Sequence, residues 1–79
     1  AAPYFLRVVY CREGEGSIAE HLNRTVAEFP ELLLGSYPRI GEEEFHVLLT
    51  LESRDSRYLQ RALDSLLARL PQDAVHKVE

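Results

Sequence analysis

Phe45-His46-Val47-Leu48-Leu49-Thr50-Leu51-Glu52, followed by Ser53-Arg54-Asp55 and then Ser56 to Pro71, is the stretch that decides the fold. Phe45, Val47, Leu49 and Leu51 alternate with His46, Leu48, Thr50 and Glu52, the period-two pattern of a strand with one buried face. Asp55 is suited to cap a helix, because its carboxylate can accept from backbone N–H groups of the first turn. Leu59, Ala62, Leu63, Leu66, Leu67 and Leu70 then recur at helical spacing, and Pro71 stops the helix. The hydrophobic period thus switches from strand to helix across one cap.

Working outward, Leu32 to Tyr37 is a short apolar run interrupted by Gly35, read as an edge strand because Pro38 follows it. Arg39 to Glu44 is polar, contains Gly41 and suits a hairpin loop. Upstream, Ser17-Ile18-Ala19-Glu20 matches a capping box. Ile18, Leu22, Val26 and Phe29 form one helical stripe that Pro30 ends near Glu28. Tyr4 to Tyr10 reads as the first strand, with Tyr4, Leu6, Val8 and Tyr10 toward the core and Phe5, Arg7 and Val9 on the other face. Ala74 to Val78 is the last, shortest strand. The order β-α-β-β-α-β resembles the split βαβ, ferredoxin-like α+β arrangement: a four-stranded antiparallel sheet with two helices on one face. The crossover rule puts the first and third strands in the centre. The expected core is Leu6, Val8, Leu22, Val26, Val47, Leu49, Leu63 and Leu66.

The chain has 79 residues, 46% hydrophobic, with a formal net charge of −4. That length bounds it to one domain over residues 1–79. The acidic balance argues against a nucleic-acid partner. No apolar run approaches the roughly 20 residues of a membrane helix, so no membrane partner is expected. The single cysteine, Cys11, leaves no internal disulfide and points to a reducing, cytoplasmic compartment. With no methionine and no signal-peptide pattern after Ala1-Ala2-Pro3, the chain reads as a fragment of a longer multidomain protein.

Catalytic signals are absent. His21, His46, His76 and Cys11 lack the spacing of a metal site and read as surface or sheet-face residues. Ser17 is assigned to a cap, and Ser36 sits in G-S-Y-P without the frame of a hydrolase nucleophile. Glu42-Glu43-Glu44 reads as a solvated turn. Gly14-Glu15-Gly16 lacks the third glycine of a dinucleotide loop, and Glu15 opposes a phosphate there. Arg54 and Arg57 near a helix start read as solvated or paired with Asp55, and Arg61 and Arg69 as the exposed face of that helix.

Phe29-Pro30-Glu31-Leu32-Leu33-Leu34-Gly35-Ser36-Tyr37-Pro38, then Val47-Leu48-Leu49-Thr50-Leu51-Glu52, Ser53-Arg54-Asp55, Leu59, Ala62 and Leu66, resemble the distal subdomain of the molybdopterin-binding-like region of eukaryotic-type FAD synthases (FMN adenylyltransferases). The likeness covers about half the chain; residues 1–28 agree only in layout. It implies a subdomain of an enzyme that makes FAD and diphosphate from FMN and ATP with Mg. Neither the Gly-rich Thr/Asp motif nor the nucleotide loop of that family is present. No catalytic, cofactor-binding or metal residue is therefore expected within the chain, and it should not be an enzyme alone. The resemblance carries over Gly35, Ser36, Tyr37 and Pro38 as a contact turn, with Gly35 allowing a bulge or positive φ.

Phe5, Val9 and Leu48 are expected to form an apolar strip on the helix-free sheet face. Its partners would be neighbouring domains of the same chain, with weak self-association of the fragment. Two other classes compete: a small-molecule-sensing regulatory module, for which a Gly-containing loop after the first strand speaks, and a structural dimerisation domain.

Overall fold

Among the described residues, four strands and two α-helices follow the predicted order: β1 (Phe5–Cys11), α1 (Glu15–Glu28), β2 (Leu33–Pro38), β3 (Val47–Ser53), α2 (Ser56–Arg69) and β4 (Val75–Val78). The computed structural model describes residues 3–41 and 44–79, so Glu42 and Glu43 of the predicted acidic turn lie outside the described residues. The sheet is antiparallel in the order β2-β3-β1-β4, which places the first and third strands in the centre. The core forms between one sheet face and both helices, around Val9, Cys11, Val47, Leu49 and Leu51 on the strands and Ile18, Leu22, Leu59, Leu63 and Leu66 on the helices.

The second half folds as its pattern dictates. The Asp55 carboxylate accepts from the N–H groups of Arg57 at 2.9 Å and Tyr58 at 3.1 Å, capping α2. Leu59, Ala62, Leu63 and Leu66 form its buried face, and the helix ends at Leu70, before Pro71. Phe29 meets Tyr58 edge to face at 5.3 Å, and the Tyr58 hydroxyl accepts from the Glu31 N–H at 3.0 Å. Where the helices meet, Arg69 pairs with Glu28 at 3.0 Å and Ser65 donates to the same carboxylate. Those contacts, the Ser65 hydrogen bond first, hold the Glu28 carboxyl below its ordinary value. Arg69 thus belongs to the helix seam, not to an exposed face.

The first half departs from expectation in three places. Strand β1 has the opposite parity. Val9 and Cys11 are fully buried, while Leu6 is 54% exposed and Val8 half-buried on the helix-free face. Phe5 shares the parity of Val9 but sits at the strand end, where it is exposed. Arg7 is accommodated on the core side because its guanidinium reaches the periphery. It donates to the Gln60 Oε1 and the Glu79 carbonyl, each at 2.9 Å. Helix α1 turns Thr25, not Val26, into the interior, and Val26 is exposed. The Thr25 hydroxyl is satisfied by donating to the His21 carbonyl at 2.8 Å. The capping box does not form. The helix starts at Glu15 with Gly14 as its cap, so Ser17 lies inside the first turn, its N–H donating to the Gly14 carbonyl.

Leu49→Ala should destabilise the fold by about 2–5 kcal/mol in urea titration, because Leu49 is fully buried on a central strand. Leu6→Ala should cost less than about 1 kcal/mol, as expected of a half-exposed side chain. Equal costs would contradict the parity of β1.

Candidate functional site

Cross-strand register defines the helix-free face. Leu33, Glu52 and Leu6 lie in one row, Gly35, Thr50 and Val8 in the next, and Tyr37, Leu48, Tyr10 and Lys77 in the third. The surface is apolar along Leu6, Leu48, Tyr10 and Tyr37, with Glu52 and Lys77 at its sides. A shallow concavity of about 590 Å³ lies among Leu6, Tyr37, Leu48, Thr50 and Glu52, with Arg39 contributing to its wall. Of the predicted strip, Leu48 is on this face. Val9 is not, because it is sealed in the core, and Phe5 points with Val9. Leu6 and Tyr10 take their places.

Gly35-Ser36-Tyr37-Pro38 is not a turn. It is the second half of β2, and Gly35 has no positive φ, the described residues showing one only at Gly41. Each residue has a separate role. The Tyr37 ring folds back over Gly35. A Cβ there would stand 2.8 Å from the Tyr37 Cε2 and 2.7 Å from the Thr50 Oγ1. Glycine is therefore required by the ring packed across it rather than by a backbone angle. Ser36 faces the helices and donates to the Glu15 Oε2 at 2.7 Å, tying β2 to the start of α1. Pro38 sits on the edge strand, where a missing N–H is tolerated.

At the other side of the face, Tyr10 donates to the Glu79 Oε1 at 2.7 Å, and Lys77 pairs with the Glu79 Oε2 at 2.9 Å. Lys77 also lies 5.3 Å from the centre of the Tyr10 ring, and Phe45 meets that ring edge to face at 4.9 Å. The Tyr10 hydrogen bond, and then Lys77, hold the Glu79 carboxyl below its ordinary value. The bond to Glu79 raises Tyr10, and Glu79 likewise raises Lys77.

Among the described residues, the polar side chains singled out in the sequence lie at several separate places on the domain. His46 precedes β3, and its N–H donates to the Cys11 carbonyl at 2.7 Å. His76 places Nδ1 3.2 Å from the Arg12 guanidinium and Nε2 3.4 Å from Glu44. Arginine can only donate, so Nδ1 accepts and the neutral ring carries its proton on Nε2. Arg54 lies over the Tyr4 ring at 5.1 Å. Cys11 is buried, and burial pushes its thiol up to about 11, so it is no nucleophile at neutral pH. Among the described residues no group of three or more His, Cys, Asp or Glu side chains could hold a metal ion, and no helix is long and apolar enough to cross a membrane.

These observations define a small α+β domain whose exposed feature is an open, aromatic-rich sheet face. A family model described as FAD synthase, middle domain, matches residues 3–79, and the chain belongs to that family. The match extends over the first strand and helix, where the likeness seen in the sequence was one of layout alone.

Three titrations and one substitution follow from this geometry. Glu79 has a depressed carboxyl, so its contribution is present above the ordinary carboxylate range and lost as pH falls through its folded value. Lys77 and Tyr10 are raised, so their contributions are complete below their ordinary values and lost as pH rises through the raised ones. Amide exchange of the Val8 and Glu79 pair, measured against pH after correction for intrinsic exchange, should accelerate at both ends of that window. Gly35→Ala should displace the Tyr37 ring and destabilise by about 1–3 kcal/mol, seen as lost chemical-shift dispersion at Tyr37 and a lower urea midpoint.

Proposed function

We propose that this is a non-catalytic accessory domain of an FAD synthase, and that its open sheet face docks on a neighbouring domain of the same protein. The observation that supports the reading most is the helix-free face itself, where Tyr37 and Leu6 are exposed and Leu48 and Tyr10 half-buried between the strands, with no described helix over them. A contiguous apolar surface of this kind is characteristic of an interaction site. The family description as a middle domain supports flanking domains of one chain as the occupant.

In this reading the parent enzyme transfers the adenylyl group of ATP to FMN, giving FAD and diphosphate, as a cytoplasmic nucleotidyltransferase. FMN, ATP and Mg would be held by residues outside this domain. Some of its own polar side chains are engaged within the domain. Arg12, for example, donates to the Asp73 and Val75 carbonyls and to His76.

The isolated chain should show no turnover with FMN plus ATP, and none with FAD, by chromatography of the flavin products. In the full-length synthase, Leu6→Ser with Leu48→Ser should increase proteolytic nicking between domains and lower the unfolding temperature. The isolated domain should retain its own fold with the same changes. Turnover by the isolated chain, lost on substitution of one of its side chains, would overturn the non-catalytic reading. An unchanged nicking pattern would overturn the docking face.

A further inference from the structure

No described strand pairs with the outer edge of β2, and the hydrogen-bond parity of the sheet says which of its groups face outward. Val8 and Glu79 exchange N–H to carbonyl bonds at 3.0 and 2.8 Å, so the even residues of β1 address β4 and its odd residues address β3. Through the register, the odd residues of β3 then address β1, and Leu48, Thr50 and Glu52 address β2. Their partners Tyr37, Gly35 and Leu33 are the hydrogen-bonded residues of β2. The bond from the Arg39 N–H to the His46 carbonyl, 2.8 Å, continues the same alternation. Leu34, Ser36 and Pro38 therefore turn their backbone groups away from the sheet. The edge offers the N–H and C=O of Leu34 and Ser36.

This edge is complementary to itself. We infer that two copies of the chain pair antiparallel along β2, Leu34 of each opposite Ser36 of the other, extending two four-stranded sheets into one of eight. That register forms four backbone hydrogen bonds, two at each Leu34–Ser36 pair. It stops cleanly at both ends. Pro38 has no N–H to give, and the Leu32 N–H opposite it is already donated to the Phe29 carbonyl at 3.0 Å. Gly35 meets Gly35 at the two-fold axis, leaving room there for the Tyr37 ring that lies over each glycine. Leu33 of one copy stands opposite Tyr37 of the other; these side chains are 51% and 53% exposed in the single chain. Glu31 stands opposite Arg39, twice by symmetry, giving two opposite-charge pairs at the flanks. Sliding the pairing so that Ser36 meets Ser36 loses this match. Each Leu34 carbonyl would then face a proline, and Leu33 would face Arg39. The contact uses the edge and, of the open face, only its β2 margin at Leu33, Tyr37 and Arg39; Leu48, Tyr10 and Leu6 stay free for the docking proposed above.

The test is sedimentation equilibrium of the 79-residue chain with a charge swap. The wild-type chain should form dimers at high micromolar concentration. Arg39→Glu turns both flanking pairs repulsive and should raise the dimer dissociation constant by roughly tenfold or more. Glu31→Arg combined with Arg39→Glu restores opposite charges and should return it to within about threefold of wild type. Amide exchange at Leu34 and Ser36 should slow with rising protein concentration, while Gly35 and Tyr37, already bonded within the sheet, should not change. Both charge variants alter exposed side chains, so misfolding does not mask the result. A strictly monomeric wild-type chain at about 1 mM overturns the inference. So does a dimer that Leu48→Ser breaks and Arg39→Glu leaves intact, because that dimer would use the open face.

Discussion

The antiparallel ladder between β1 and β3 is the constraint on which the rest of the structure depends. It runs without interruption from Phe5 opposite Ser53 to Cys11 opposite Val47. Because side chains alternate strictly along a strand, this one register decides which residues of every other strand face the helices. It places Val9 against Leu49 and Cys11 against Val47 in the core, all fully or almost fully buried. It also fixes which backbone groups β1 offers to β4 and β3 offers to β2. A slip of one residue would bring Leu6, Val8 and Tyr10 inward and expose Val9 and Cys11. The ladder joins segments far apart in the chain, so its loop-closure cost is met only when α1, β2 and the loop before β3 have settled on the same arrangement.

That register leaves apolar side chains on the helix-free face. Elsewhere the domain limits the consequences. Glu52 and Lys77 bound the face, and Glu79 ties Lys77 and Tyr10 together at its β4 margin. The β4 edge is short, and Pro38 removes one donor from the β2 edge. The remaining apolar groups, Tyr37, Leu48, Tyr10 and Leu6, form a continuous surface rather than scattered exposures, and continuity is what distinguishes a contact surface from ordinary exposed residues.

Much of this was legible in the sequence, and the failures have physical causes. Strand β3 and helix α2 show one clean period each, and Asp55 is an unambiguous cap, so order, centre and edge strand could be read. Strand β1 is apolar on both parities. Its more apolar set, Leu6, Val8 and Tyr10, belongs to the open face, while the core set includes Arg7. Only the reach of Arg7 to Gln60 and the Glu79 carbonyl makes that parity acceptable, and both partners lie far along the chain, at separations of 53 and 72 residues. In α1 the choice between Thr25 and Val26 depends on whether a buried hydroxyl has partners. It has two, the His21 carbonyl and Arg69, the second on the other helix. The capping box failed because Gly14 starts the helix earlier, with Glu15 drawn to Ser36 on β2. Each error was a local pattern overruled by a distant partner.

The G-S-Y-P segment shows the same division at the level of a motif. Its composition suggests a turn, since glycine, serine and proline favour turns. In β2 those residue types serve three surroundings at once. Gly35 clears space on the open face for the Tyr37 ring, Ser36 crosses to the helix side to hold Glu15, and Pro38 terminates the edge. A strand exposes one residue to each side in alternation, so a short edge strand must satisfy a face, a core and a boundary with consecutive residues. Turn-forming residues fit that demand because each removes something: a side chain at Gly35, apolar bulk at Ser36, a hydrogen-bond donor at Pro38. The motif therefore reads as a specification of what may approach β2 from each direction, and the edge it leaves open, Leu34 with Ser36, is the part to which a further strand can be added.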